Sequence, residues 1–262
     1  MSASLFEADG DRFLPTGLAR GPWSPDALHG GPPSALLVRA VEAVDAPVPM
    51  QVARATFELL RPVPLAALTV VTEVLRPGKK VQLVGASLRT DDVEVMRATV
   101  LRIRTADLPV EVGVDAGAPD VPEAATVVRP PFAVAEEGLE HFHVDAMELR
   151  TVAGGFAGPG PGTAWFRLRV PLLPGEAPSG AVRAAATADF GNGLSWVLPP
   201  EWLFINPDLT LHLLRQPEGE WICLAARTLT SGTGVGLAES ALYDRHGRVG
   251  RAVQSLLLDD HR

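Results

Sequence analysis

Apolar and polar residues alternate over four stretches in the first part of the chain, which predicts β-strands. The stretches cover residues 52–60, 68–75, 80–89 and 93–104, are rich in Val, Leu and Thr, and are separated by turn residues. The connections between them are too short for crossover helices, so neighbouring strands should run antiparallel. The pattern therefore predicts an antiparallel meander of long strands.

The segment before these strands, residues 34–44, is apolar on almost every side, which predicts a fully buried helix. It follows Pro32 and Pro33, and proline is compatible with the first turn of a helix because the amide it lacks is unpaired there. One buried helix followed by an antiparallel meander indicates an α+β unit in which the sheet wraps the helix.

Residues 106–140 are rich in Pro, Ala, Val and acidic residues, which is typical of a solvated linker. We therefore expect two domains, residues 1–105 and residues 141–262. The second domain begins with mixed segments and a strand at 164–170. A helix at 180–190 follows, with Ser179 as its N-cap. Residues 203–258 then return to strand-like segments separated by turns.

The two domains match each other without gaps at an offset of 154 residues. Residues 56–61 lie over residues 210–215, with Thr, Leu, Leu and Arg in common, and residues 95–98 lie over residues 249–252. The turns between the strands stay in register. The repeat predicts two copies of the same α+β unit with their sheets side by side.

Three positions are apolar in the first copy and polar in the second. In the repeat Asp189 corresponds to Ala35, Asn206 to Val52 and Gln254 to Val100. Burying an unpaired polar group costs about 1–3 kcal/mol, so three substitutions in one copy favour a functional role. We expect Asp189, Asn206 and Gln254 to meet in one pocket and hold a water, with Asp189 as its general base. The alternative is that they only hydrogen-bond one another or the backbone.

Composition excludes several classes of protein. A net charge of −8 without a basic cluster argues against nucleic-acid binding. The one cysteine, Cys223, lies in an apolar strand pattern and is predicted to be a core residue. His141 and His143 form the only close histidine pair and are interpreted as surface residues, so no metal site and no cofactor are predicted. Without a signal peptide or an apolar run of bilayer length, we expect a cytoplasmic protein with no membrane insertion.

An ordered set of short segments resembles the acyl-CoA thioesterase II family of double-hotdog proteins. The segments are His29-Gly30-Gly31 before the first helix, Trp165 to Arg167, Ala188-Asp189-Phe190, Glu220-Trp221, Tyr243-Asp244 and Val253-Gln254. The resemblance implies a double hotdog fold, hydrolysis of acyl-CoA thioesters and assembly into homo-oligomers. It also implies a water-binding site formed by an Asp, a hydroxyl residue and a Gln. These positions correspond to Asp189, Asn206 and Gln254, and Asn206 departs from the family pattern because it is not a hydroxyl residue.

His29 has two interpretations. It is either an ordinary residue at the helix entry, or it stands beside an oxyanion site formed by the Gly30 and Gly31 amides. Two other functions use the same fold. A non-catalytic protein that binds acyl-CoA or acyl chains is the main alternative, and the change at Asn206 favours it. A hydratase is disfavoured, because hotdog hydratases use an Asp and a His a few residues apart and no histidine lies within a few residues after Asp189.

Overall fold

The computed structural model describes residues 3–107, 117–126, 138–199 and 201–260. The first half contains one helix and six strands: β1 (Phe6–Asp9), β2 (Arg12–Pro15), α1 (Gly31–Glu42), β3 (Met50–Leu59), β4 (Leu68–Arg76), β5 (Val81–Thr90) and β6 (Val93–Arg104). The predicted helix and all four predicted strands are present. Their ends differ from the expected ends by up to three residues because turns and caps, not the alternation, set them.

The second half contains β7 (Met147–Gly154), β8 (Gly162–Leu168), α2 (Gly180–Ala188), α3 (Gly191–Leu194), β9 (Trp202–Ile205), β10 (Asp208–Leu213), β11 (Trp221–Thr230), β12 (Val235–Asp244) and β13 (Gly247–Asp260). Ser179 is the N-cap of α2, as predicted, and its hydroxyl accepts from the backbone N–H of Val182. The Gly191–Gly193 segment, which follows the predicted helix at 180–190, begins the short helix α3.

All thirteen of these strands belong to one antiparallel sheet, in which β3 of the first half pairs with β10 of the second. In that pair Thr56 lies opposite Thr210, and the two hydroxyl oxygens are 3.4 Å apart. These residues are equivalent in the sequence repeat, so a local two-fold axis passes between them. The expected continuity of the two sheets is confirmed.

The repeat holds in the strands and fails in the helices. β5 and β12 have equivalent first and last residues, and Val100 and Gln254 are both buried in the equivalent strands β6 and β13. The start of α1 corresponds to residue 185, whereas α2 begins at Gly180. The pairing of Asp189 with Ala35 is therefore wrong in space: Ala35 lies inside α1, and Asp189 caps the end of α2. An ungapped comparison cannot detect a shift confined to one element.

The helices α1 and α2 lie side by side and antiparallel on the inner face of the sheet. The start of α1 meets the end of α2 at Gly31 and Ala186. At the opposite end Ser179 donates to the Glu42 carboxylate over 2.7 Å. Apolar residues of both helices are buried in one core cluster with residues of the sheet. The predicted helix wrapped by a sheet is confirmed, but it is not buried on every side, since Arg39, Ala40 and Glu42 near its end are only partly buried.

At the far end of this helix pair, the buried Arg102 closes the end of α1. Its guanidinium donates to the carbonyls of Val41 and Val44 over 3.0 and 2.8 Å and to the side chain of Gln82. Val41 lies in the last turn of α1 and Val44 lies just beyond it, so these charge-assisted bonds tie the end of the helix to the sheet.

The close approach of the two helices leads to a testable requirement for glycine at position 31. A Cβ atom placed there would lie 2.3 Å from the Ala186 carbonyl oxygen, which is backbone and cannot rotate away. We expect Gly31→Ala to lower the free energy of unfolding by about 3 kcal/mol, as overpacking does. Urea unfolding measures it. Gly158→Ala is the matched control, since its Cβ would meet nothing within 4 Å. Equal stability of both variants would contradict the packing.

Candidate active site

Asp189, the C-cap of α2, has its side chain almost fully buried. One carboxylate oxygen, Oδ1, accepts from the side-chain amide of Asn206 over 2.9 Å and from that of Gln254 over 3.3 Å. Asn206 lies in the corner between β9 and β10, and Gln254 lies in the middle of β13. The structure thus brings together the three polar residues that the sequence repeat singled out.

The other carboxylate oxygen of Asp189, Oδ2, lies 3.0 Å from Nδ1 of His29. His29 directly precedes α1 and is also buried, so the two side chains meet where the start of α1 touches the end of α2. The backbone N–H of Gly30 donates to the same carboxylate. The sequence repeat did not reveal this contact, because His29 and Asp189 lie far apart along the chain.

These donors control the charge of Asp189. Burial alone raises the pKa of a carboxyl group because it removes water from the charged form. Here the His29 ring, the Asn206 amide and the Gly30 N–H outweigh burial and hold the pKa of Asp189 below its ordinary value. The carboxylate is therefore ionised at neutral pH.

The protonation of His29 follows from its partners. Nδ1 lies 3.0 Å from the Asp189 carboxylate and 3.1 Å from the backbone nitrogen of Gly31, and it cannot donate to the first while accepting from the second. An ionised carboxylate can only accept, and charge-assisted bonds are stronger than neutral ones. We therefore assign the hydrogen to Nδ1, which leaves the Gly31 N–H without a hydrogen-bond acceptor there.

Asn192, at the start of α3, holds the two amide side chains in place. Its backbone N–H donates to Gln254 Oε1 over 3.1 Å, and its side-chain amide lies 3.4 Å from Asn206 Oδ1. The side-chain carbonyls of Gln254 and Asn206 each have one protein donor and keep a second lone pair, so the expected water at this site stays a prediction. Sequence reasoning missed Asn192; its place between Gly191 and Gly193 was the available signal.

A cavity of about 500 Å³ opens in front of this cluster. His29, Gly30, Asp189, Asn192 and Asn206 lie along one wall. Most of the remaining lining is apolar and includes Trp23, Leu28, Leu59, Val63, Phe156 and Ile205. An apolar cavity of this volume with a few convergent polar groups is typical of a small-molecule binding site.

The prediction that His141 and His143 are surface residues is wrong. His141 is buried with Nδ1 3.1 Å from the Gly21 carbonyl oxygen, and His143 lines the cavity. Burial, with smaller effects of His29 and His141, lowers the pKa of His143 to about 3. The short π-helical turn at Phe142–Ala146 turns these rings inward, which a local sequence pattern does not reveal. No group of three possible metal-ligating side chains occurs among the described residues.

Cys223 is buried against Trp165 and Trp221, as the sequence pattern predicted. Burial raises the pKa of its thiol to about 12. A thiol in this state is not a nucleophile, because the thiolate is the reactive form. Among the described residues, no helix is both long enough and apolar enough to span a membrane.

Two protein-family models match the chain. An acyl-CoA thioesterase N-terminal domain matches residues 19–103, and an acyl-CoA thioesterase C-terminal domain matches residues 114–258. The two models together span most of the sequence. The chain therefore belongs to the acyl-CoA thioesterase family. No curated protein matches the sequence.

Solved structures show the same fold. A hot dog fold protein of unknown function from Alicyclobacillus acidocaldarius is 15% identical, with 98% of this chain and 96% of that chain covered and a TM-score of 0.73. The acyl-CoA thioesterase II TesB2 from Mycobacterium marinum is 14% identical, with 97% and 94% covered and a TM-score of 0.67. With two helices wrapped by one antiparallel sheet, the expected double hotdog fold is confirmed.

The buried state of His143 should make the protein less stable in acid. Its pKa of about 3 in the folded state lies below the ordinary value of 6.5, so between these values the unfolded chain binds a proton that the folded chain does not. Stability must then fall as the pH is lowered through this range. We expect His143→Gln to reduce the pH dependence of the unfolding free energy by up to about 1.4 kcal/mol per pH unit.

Urea unfolding between about pH 4 and 7 measures this difference. His246→Gln is the matched control, because His246 is 67% exposed. The same pH dependence in His143→Gln and the unmodified protein would show that His143 takes up its proton in the folded state.

Proposed function

We propose that this protein hydrolyses acyl-CoA thioesters to the free acid and CoA in the cavity described above. The observation that carries the proposal is an ionised, almost fully buried carboxylate, Asp189, in the wall of a largely apolar cavity. Membership of the acyl-CoA thioesterase family supports the same reaction class. Strongly perturbed titratable groups in a cleft are a common property of catalytic sites.

The cavity supports a particular orientation of the substrate. Its apolar lining suits an acyl chain, because burying apolar surface stabilises the complex by about 25 cal/mol per Å². The thioester carbonyl then lies at the start of α1, where the positive end of the helix dipole favours a developing oxyanion. Of the two amides predicted to bind this oxygen, the Gly30 N–H is already bonded to Asp189. The Gly31 N–H is directed at Nδ1 of His29, and Gly31 is not among the residues that line the cavity, so the helix dipole at the start of α1 is the proposed source of this stabilisation.

The proposed reaction is direct attack of water on the thioester carbon. Asn206 and Gln254 fix the Asp189 carboxylate through their amide groups, and Asn192 fixes both of them in turn. The carboxylate supplies the negative charge that makes removal of a proton from the water favourable. Asn206 thus supports the site through its amide donor, a role that does not require the hydroxyl residue of the family pattern.

Binding of acyl-CoA or an acyl chain without turnover is the alternative. The observation that favours it is the complete set of hydrogen bonds around Asp189, since all its partners are protein groups and no water is needed to satisfy it. A protein of this kind would bind the substrate in the same cavity and release no thiol.

Release of free thiol from acyl-CoAs of several chain lengths tests the two functions. Hydrolysis by the unmodified protein is expected, with a fall of about 100-fold or more in kcat for Asp189→Asn, because the substitution removes the charge and keeps the shape. Asp11→Asn, at an exposed position, is the control. Both variants are first compared by thermal unfolding. Binding of acyl-CoA without thiol release would establish the alternative, and full turnover by Asp189→Asn would exclude the proposed role of this carboxylate.

A further inference from the structure

We infer that His29, held in place by Asp189, is the general base that takes the proton from the attacking water. The inference rests on the proposed function and changes the role of Asp189 within it. Asp189 becomes the residue that orients the His29 ring and compensates its positive charge during the reaction. The two residues come from the two halves of the chain and meet only in the folded protein.

The Asp189 carboxylate has no free position for a water. A carboxylate offers about four lone-pair directions. Asn206 and Gln254 donate to Oδ1, His29 donates to Oδ2, and the Gly30 N–H donates to the same carboxylate. These bonds stabilise the charged form, and the resulting low basicity is unsuited to removing a proton from water.

His29, by contrast, has a free nitrogen on a fixed ring. Nδ1 is bound to Asp189, and no described residue forms a hydrogen bond with Nε2. The ring lines the cavity. It packs against two aromatic rings, with centroid distances of 5.1 Å to Phe142 and 4.6 Å to Phe190. This packing holds the imidazole in one orientation, as a positioned general base requires.

The charged group nearest to His29 has the sign that compensates a positive charge on the ring during the reaction. The ionised Asp189 carboxylate lies 3.0 Å away. His143, which lines the same cavity, is neutral above about pH 3, and His141 lies behind it at a ring distance of 5.6 Å. Arg61 is the one positively charged side chain among the described lining residues, and it is exposed. An imidazolium at position 29 is therefore stabilised by the nearest charge.

In the inferred step one proton moves from water to His29 and then to the leaving thiolate. Nε2 of His29 accepts a proton from water while the water oxygen bonds to the thioester carbon, and the carbonyl electron pair moves to the oxygen. Collapse of this tetrahedral intermediate breaks the carbon–sulfur bond, and the imidazolium returns the proton to the leaving thiolate. The products are the free acid and the thiol. His29 ends neutral, and Asp189 stays ionised throughout.

Two variants of His29 test the inference by release of thiol from acyl-CoA. Glutamine can still donate to Asp189 but cannot act as a base, so His29→Gln should lower kcat by about 10²- to 10⁴-fold with a smaller change in KM. His29→Ala removes the ring, and added imidazole should restore turnover. The restored rate should rise with the basicity of substituted imidazoles. His212→Gln, on an exposed part of β10, is the matched control and should retain activity.

The outcomes distinguish failure of the proposed function from failure of the inferred role of His29. Absence of turnover by the unmodified protein with every acyl-CoA would overturn the proposed function itself. Turnover by the unmodified protein together with a His29→Gln rate within about tenfold of it would overturn this inference alone and return the base to Asp189. If His29→Gln is unfolded by circular dichroism, the alanine variant decides: rescue by imidazole supports the inference, and loss that no imidazole reverses contradicts it.

Discussion

The close packing of the start of α1 against the end of α2 is the contact on which the rest of the site depends. Glycine at positions 30 and 31 permits it, since a side chain at either position would meet the Asp189 carboxylate or the Ala186 carbonyl. The same approach brings His29 and the Gly30 amide to Asp189. A buried carboxylate without such donors would cost several kcal/mol or take up a proton. The contact between the two helix ends therefore both packs the helices together and supplies the donors that stabilise the Asp189 charge.

Only one end of the helix pair becomes a site, although the chain is a repeat. At the other end Arg102 fills the space with a guanidinium bound to the last carbonyls of α1. In the sheet, the buried Val100 occupies the position that Gln254 has in the second half. The duplicated scaffold thus carries a polar cluster beside the cavity, the proposed site, while in the equivalent region Arg102 ties down the end of α1. The two-fold axis at Thr56 and Thr210 relates the strands but not these functions.

The hydrogen bonds that keep Asp189 charged also limit what it can do. Each donor to a carboxylate lowers its affinity for a proton, so a fully bonded carboxylate is stable and weakly basic. A catalytic site of this kind needs a stable negative charge and a basic atom that can take up a proton. The neighbouring His29 imidazole, with one nitrogen bound and one free, allows two different groups to meet these requirements. In the inferred mechanism Asp189 holds the negative charge, and His29 exchanges the proton. The apolar cavity strengthens both interactions because it lowers the local dielectric constant.

The sequence by itself determined the strands and the buried helix, because alternation and apolar runs are properties of local order. The repeat singled out Asp189, Asn206 and Gln254, although its pairing of Asp189 with Ala35 is wrong in space. The tertiary structure alone decided that His29 contacts Asp189, that Asn192 holds Gln254, and that His143 lines the cavity. These contacts join residues far apart along the chain, and their distances depend on how closely two helices pack. A shift of α2 relative to the repeat leaves no trace in the pattern of apolar residues, since both registers bury the same kind of face.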